Sequence, residues 1–173
     1  MALLQVLTYP DPRLKQVAAQ VTEFNDPLRQ LAADMAEAMY AESGVGLAAP
    51  QVGVSLRLFV ADCNYGGSEE DDDHQWEAYI NPVISNGQGH LEMEEGCLSV
   101  PEVRATLDRF ETLTLDYQDL DGNPHQVEAE GLFALCIQHE TDHLEGKLFI
   151  DFLPPLRRKM VKNRLKKLAR AHD

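Results

Sequence analysis

The sequence predicts an α+β fold in which antiparallel β-sheets pack around a central helix, with an N-terminal helix and a C-terminal helix. β-prone runs occupy the middle of the chain, helical spacing occurs towards its ends, and strands and helices do not alternate as they do in a parallel βαβ fold. At 173 residues the chain is long enough for one domain, so we expect residues 1–173 to form a single unit.

The N-terminal helix is predicted from its cap and its apolar spacing. Asn25 or Asp26 caps it, Pro27 occupies its first turn, and Gly44 ends it. The residues spaced for one buried face are Leu28, Leu31, Met35 and Met39.

Strands are predicted in the middle of the chain. Residues 57–62 read as a strand, and residues 64–75 read as an exposed loop because their like charges repel one another. Residues 76–130 contain short β-prone runs, and the last two flank the turn at Asp121-Gly122 as a hairpin.

Two helices are predicted after the strands. Residues 131–145 form the central helix, which Gly146 ends, and residues 156–171 form a C-terminal helix. Helical spacing in the central helix relates Leu132, Leu135, Cys136, His139 and His143.

Composition excludes several classes of function. The net charge of −14 argues against DNA binding by the body of the protein, and three cysteines favour a reducing compartment over a disulfide scaffold. We recognise no export signal, and no apolar stretch approaches the roughly 20 residues that span a bilayer. We therefore expect a soluble, cytoplasmic protein with no membrane partner.

The pentapeptide HETDH, residues 139–143, is the strongest functional signal. On a helix, His139 and His143 lie on one face and can bind one metal ion, with Glu140 beside them as a proton carrier. In the alternative interpretation, His139 is a hydrogen-bonded core residue, and Glu140 and His143 are solvated.

A catalytic metal of this kind needs a third protein ligand. Cys136 lies on the same helical face as His139, but its apolar surroundings are typical of a small buried hydrophobe. Cys97 follows Gly96 in EEGCLSVP, as expected where a strand delivers a ligand, so we favour Cys97. A set of two histidines and one cysteine indicates amide hydrolysis, and its spacing alone suggests zinc.

The segment GVGLAAPQ, Gly44 to Gln51, is a third candidate element. Its small residues permit close approach of a ligand to the backbone, and the amide of Gln51 suits a developing oxyanion. A helix cap followed by a tight turn explains the same pattern, and both interpretations can hold together.

These three segments together resemble peptide deformylase, with its patterns GxGLAxPQ, EGCLS and HExDH in the same order. The resemblance spans most of the chain and is closest to bacterial-type enzymes with a C-terminal helix. It implies one catalytic domain that removes the N-formyl group from the initiator methionine of nascent polypeptides and releases formate. It also implies one divalent metal ion, with Fe²⁺ expected and Zn²⁺, Ni²⁺ or Co²⁺ possible.

The resemblance assigns roles to particular residues. It implies metal ligation by Cys97, His139 and His143, general acid–base catalysis by Glu140, and oxyanion binding by Gln51 and the backbone N–H of Leu98. It further implies that the substrate peptide lies along Gly46 and that Arg104 faces the substrate, although an ordinary exposed strand arginine explains Arg104 equally well. The implied methionine pocket comprises Val45, Met93, Leu132, Leu135, Cys136 and His139, positions that an ordinary core also explains.

The basic C-terminal helix stands apart from the acidic remainder of the chain. Residues 156–173 contain eight basic residues and one acidic residue, whereas the rest contains seven basic and 28 acidic residues. By resemblance, the ribosome is a candidate partner through ribosomal RNA, and a solvated amphipathic helix is the alternative. For the whole protein, the alternatives are an HExxH-type metallopeptidase and an inactive ribosome-associated homologue.

Overall fold

A computed structural model describes residues 3–63 and 75–171 of the chain. The helices are α1 (Asp26–Ala41), α2 (Gly131–Leu144) and α3 (Pro155–Ala171). The strands are β1 (Gly46–Ala48), β2 (Leu58–Ala61), β3 (Glu77–Gln88), β4 (Leu91–Cys97), β5 (Val100–Arg109), β6 (Thr112–Gln118) and β7 (Pro124–Glu130). Short 3₁₀ turns occur at Pro12–Lys15, Ala49–Val52 and Phe149–Phe152. The acidic loop predicted at 64–75 lies, apart from Gln75, outside the described residues.

The strands form two antiparallel sheets. The larger has the order β1-β2-β3-β6-β7, and the smaller pairs β4 with β5. The predicted hairpin is present, with Thr112 opposite Glu130 and Gln118 opposite Pro124. The predicted α+β fold is confirmed.

Helices α1 and α2 cover opposite faces of the larger sheet. Leu58 and Val60 of β2 pack in the core cluster that contains α1, whereas Phe59 and Ala61 pack in the cluster that contains α2. Successive side chains of a strand point to opposite faces, so β2 is buried on both sides. This arrangement makes α2 a central helix, as predicted.

Helix α1 begins as predicted and ends earlier. The side chain of Asn25 accepts a hydrogen bond from the backbone N–H of Leu28 at 3.1 Å, which caps the helix. The helix ends at Ala41, not at Gly44, because Ser43 takes the left-handed conformation with φ 56°.

Helix α2 begins directly after β7 and ends at Leu144, two residues before a close backbone contact at Gly146. A Cβ on Gly146 would clash with the backbone carbonyl oxygen of Lys15, and Gly146 has φ 76°. The positive φ and the close approach of the Lys15 backbone both require glycine at this position. Both therefore explain why the helix ends where Gly146 predicted.

A third cluster supports the smaller sheet. Inward residues of β5, including Val103 and Ala105, pack with Phe149 and with Leu165 of α3. Helix α3 therefore lies behind the sheet that carries Cys97. No described helix is long and apolar enough to cross a membrane.

Candidate metal centre and active site

Two separate elements deliver the predicted ligands to one point. Helix α2 places His139 and His143 one turn apart on one face, and the rings lie edge to face with centroids 5.0 Å apart. Strand β4 ends at Cys97, opposite Val100 of β5 across a tight turn. The strand end therefore carries the thiol towards the helix.

The donor atoms have the spacing that a bound cation requires. Sγ of Cys97 lies 3.4 Å from Nε2 of His143, and the Nε2 atoms of the two histidines are 3.3 Å apart. A tetrahedral cation with one sulfur and two nitrogen ligands at normal bond lengths separates neighbouring donors by about 3.3–3.6 Å. Cys97, His139 and His143 thus fit one divalent metal ion, and Cys136 is not part of this donor cluster.

His139 is held by a buried ionic network behind the donor cluster. Its Nδ1 atom lies 2.9 Å from Oε1 of Glu95. Arg109 donates one hydrogen bond of 2.9 Å to each carboxylate oxygen of Glu95, from Nη2 to Oε1 and from Nε to Oε2. Arg109 also donates to Asp142 on α2 at 2.7 Å. The network fixes the ring of His139 so that Nε2 faces the cluster, as outer partners of metal-bound histidines commonly do.

Glu140 is a buried carboxylate beside the donor cluster. Its Oε1 lies 3.8 Å from Nε2 of His139, and its buried Oε2 has no hydrogen-bond partner within the described residues. Burial raises the pKa of Glu140 to about 7, and the nearby acids Asp142 and Glu95 add to this increase. A carboxyl group with this pKa can both accept and return a proton near neutral pH.

Burial also perturbs the two histidines. It lowers the pKa of His143 well below its usual value. For His139, burial acts in the same direction, but the bonds to Cys97 and Glu95 outweigh it and raise the pKa. The two histidines therefore have pKa values shifted in opposite directions, because only His139 gains enough from its bonding partners to outweigh burial.

Gln51 is held in place at both ends of its amide. Oε1 accepts a hydrogen bond from the N–H of Ala48 at 2.9 Å, and Nε2 donates to Oγ of Ser99 at 3.0 Å. Nε2 also lies 3.5 Å from Sγ of Cys97. The amide donor is thus fixed beside the donor cluster.

A cavity of about 780 Å³ opens above these groups. The predicted site residues that line it are Val45, Gly46, Gln51, Cys97, Leu98, Arg104, Leu132, Leu135, Cys136, His139 and Glu140. His143 lies beneath it and is 1% exposed. Met93, predicted for the methionine pocket, is on β4 and does not line this cavity.

Comparison with known proteins matches the polypeptide deformylase family model to residues 3–159. The chain belongs to the polypeptide deformylase family. A curated peptide deformylase of Alkalilimnicola ehrlichii is 46% identical over 170 residues, which covers 98% of this chain and 93% of the relative.

Solved structures of the family have the same fold. A peptide deformylase from Legionella pneumophila is 44% identical with a TM-score of 0.88, covering 99% of this chain and 98% of its own. A peptide deformylase from Ehrlichia chaffeensis in complex with actinonin is 35% identical with a TM-score of 0.87, covering 96% and 98%.

Membership establishes the class of reaction. The chain is a hydrolase that removes the N-formyl group from nascent polypeptides during protein biosynthesis, as the resemblance implied. The matches do not favour a general metallopeptidase or an inactive homologue.

The residues that sequence analysis missed are those behind the ligands. Glu95 and Asp142 lie inside the deformylase patterns EGCLS and HExDH, but neither received a role. Arg109, which joins them, lies in no pattern. For Glu95 and Asp142, their position inside a family pattern was the signal that could have indicated a role in the site. For Arg109 the sequence contains no such signal.

Proposed function

We propose that Cys97, His139 and His143 hold one divalent cation at the floor of the cavity, where N-formylmethionyl peptides are hydrolysed. The spacing of the three donor atoms is the observation that carries this proposal. When bound, the cation supplies Lewis acidity, which polarises the formyl carbonyl and lowers the pKa of a water.

Glu140 moves the proton in this proposal. Its free buried oxygen accepts a proton from the attacking water and passes it to the nitrogen of methionine as the carbon–nitrogen bond breaks. The products are formate and a peptide with a free amino terminus. The raised pKa of Glu140 suits both steps.

Gln51 and Leu98 are the proposed oxyanion donors. The contacts of Gln51 with Ala48 and Ser99 leave its Nε2 close to Cys97, so the amide does not have to reorganise during the reaction. Leu98 follows the ligand Cys97 directly and lines the cavity. Its backbone N–H is the second donor.

Strand β1 is the proposed docking edge for the peptide. Gly46 pairs with Ala61 of β2 on one side, and within the described residues β1 has no strand partner on the other side. An extended peptide can add to such an edge by main-chain hydrogen bonds. The formyl group then points towards Glu140, and Arg104, which lines the same cavity with an exposed side chain, faces the substrate.

The apolar wall beside the ligands is the proposed methionine pocket. It comprises Val45, Leu132, Leu135, Cys136 and the ring of His139. Leu132 is 44% exposed although it is apolar, which fits a surface that a substrate side chain covers. Met93 has no place in this pocket because it does not line the cavity.

A two-substrate assay tests the reaction. Protein purified without oxygen is incubated with formyl-Met-Ala-Ser and, separately, with an internal peptide that lacks a formyl group. We expect formate from the first and no cleavage of the second. Cleavage of the internal peptide without formate release would instead support a metallopeptidase.

For the metal, we propose Fe²⁺ by family resemblance. A thiolate and two imidazoles suit several late first-row ions, so donor chemistry alone does not select iron over zinc. Metal analysis of protein prepared without oxygen tests this choice. Iron at one equivalent per chain is expected, and zinc at that level would refute it.

We further propose that α3 docks on ribosomal RNA in the cytoplasm. Its basic side chains Lys159, Arg164, Lys166 and Lys167 are exposed, whereas Leu165 anchors the helix to the core. Changing Lys159, Lys166 and Lys167 to Glu should weaken co-sedimentation with ribosomes at low salt, because phosphate attraction depends on these charges. Lys15→Glu with Lys147→Glu, two exposed positions elsewhere, is the control. Equal co-sedimentation of both variants would contradict the proposal.

A further inference from the structure

Two cysteines outside the donor cluster lie against each other beside the cavity. Cys136 of α2 lines the cavity, and Cys63 packs against the core cluster that contains Cys136. The two thiols lie near enough to change each other's pKa, and both are free cysteines. Cys63 does not line the cavity, so the pair extends from the cavity wall into the protein behind it.

The backbone accounts for this proximity. Ala61 of β2 pairs with Gly46 of β1, and Cys63 follows two residues later. A Cβ on Gly46 would lie 3.1 Å from Sγ of Cys136. Strand β1 is therefore in close contact with α2 at Cys136, and the adjacent β2 brings Cys63 to the same place.

We propose that Cys63 and Cys136 form a reversible disulfide on exposure to hydrogen peroxide, and that this bond lowers deformylase activity by deforming the cavity wall. The pair belongs to neither the metal ligands nor the acid–base machinery. A disulfide here is thus a modification that acts on the cavity without destroying the donor set.

The chemistry proceeds in two balanced steps. The sulfur of Cys63, which is half-buried, attacks the peroxide and becomes a sulfenic acid, and one water leaves. The sulfur of buried Cys136 then attacks that sulfenic sulfur, the S–S bond forms, and a second water leaves. One peroxide is reduced to two waters while two thiols are oxidised.

The environment of Cys63 favours this order. The neighbouring Cys136 thiol lowers the pKa of the Cys63 thiol although burial opposes this change. A thiolate reacts with peroxide faster than a thiol does. Cys63 is also the more accessible of the two, so it is the first site of oxidation.

The consequence for the cavity follows from bond length. A disulfide holds its sulfurs at about 2.05 Å, far closer than two thiols that touch without a covalent bond. Closing this distance draws Sγ of Cys136 towards Cys63 and changes the cavity wall beside Leu135. Glu140 lies one turn after Cys136 on α2, and both side chains lie close to Gly46. Movement of Cys136 therefore displaces Glu140 as well.

Peptide mapping tests the bond directly. Zinc-loaded enzyme is used because zinc has no redox chemistry of its own. It is treated with one equivalent of hydrogen peroxide, alkylated and digested without reductant. No Lys or Arg lies between Arg57 and Arg104, so trypsin leaves Cys63 and Cys97 in one peptide. A second, Glu-specific protease separates them.

The proposal expects a Cys63–Cys136 linked peptide lighter by two hydrogen atoms, with activity that falls and returns on treatment with dithiothreitol. Cys63→Ser should show neither the link nor the reversible loss. Alkylation of both thiols after peroxide treatment, a link to Cys97, or full activity in the linked enzyme would overturn it. The mapping does not depend on turnover, so its outcome is separate from that of the proposed reaction.

Discussion

The Nδ1 atom of His139 lies 2.9 Å from the Oε1 atom of Glu95, and Glu95 is itself held by Arg109. The residue that orients one proposed metal ligand, His139, is therefore only two positions before another proposed ligand, Cys97, on the same strand. A change at Glu95 should disturb the ring of His139 without removing a ligand.

Glu95→Gln should weaken metal binding by about 10- to 100-fold, because the neutral amide holds the imidazole less firmly and makes it a poorer donor. Competition with a chelator measures the metal affinity. Glu92→Gln is the control, since Glu92 lies on the same strand and is exposed. Equal affinity in both variants would show that Glu95 does not orient the ligand.

Cys97→Ala should lose the metal, because the cluster then retains only two protein ligands. Cys136→Ala is the matched control, since it removes a nearby thiol that is not in the donor cluster. Metal content per chain is the measurement. Metal loss from the Cys136 variant alone would reverse the assignment of the third ligand.

Glu140→Ala should keep its metal and lose turnover by roughly 100- to 10,000-fold, the usual contribution of a positioned acid–base group. Formate release and metal content are measured on the same preparation. A variant with full metal and nearly normal turnover would remove Glu140 from the mechanism.

Gly46→Ala should reduce kcat by less than the roughly 100-fold that a misplacement of about 1 Å costs, because the neighbouring groups need to move by only a few tenths of an ångström. The added Cβ would lie 3.1 Å from Cδ of Glu140 and 3.1 Å from Sγ of Cys136, so these groups must shift. In the control Gly96→Ala, the nearest contact is an ordinary 3.7 Å to Arg104, so its effect should be much smaller. Similar kinetics for the two variants would contradict the packing argument.

The pH dependence of kcat/KM should have an acid limb set by Glu140. Burial raises the pKa of this carboxyl to about 7, and protonated Glu140 cannot accept the proton of water, so the rate decreases on acidification. A bound cation stabilises the carboxylate form of Glu140 and so lowers its pKa. The acid limb should therefore lie below pH 7 in the metal-loaded enzyme. A rate that does not change between pH 7 and pH 4 in folded, metal-loaded enzyme would disagree with this role.

The cluster of Cys97, His139 and His143 was predictable from sequence because short patterns carry these residues. His139 and His143 need only one helix to meet, and the glycine and proline around Cys97 indicated a strand end. The network of Glu95, Arg109 and Asp142 was not predictable, because it joins β4, β5 and α2, whose contacts depend on the whole fold. Arg109 also looks like an ordinary surface charge in a sequence with 25% charged residues, and the position of Glu95 and Asp142 inside the patterns does not show that Arg109 joins them.

The position of Met93 shows a second limit on predicting site residues from the sequence. Strand alternation puts Met93 and Glu95 on one face of β4, but the register shifts between Glu95 and Cys97. The direction of Met93 therefore cannot be extrapolated from that of Cys97 by counting residues. Glu94 and Glu95 both line the cavity, whereas Met93, which precedes them on β4, does not.

X-ray absorption of the zinc-loaded protein tests the metal centre most directly, because it reports the atoms bonded to the ion. We expect one sulfur at about 2.3 Å and two imidazole nitrogens at about 2.0–2.1 Å, with the sulfur lost in Cys97→Ala. A spectrum without sulfur in the wild-type protein, or with sulfur unchanged in that variant, would contradict the assignment of Cys97, His139 and His143 as the ligands.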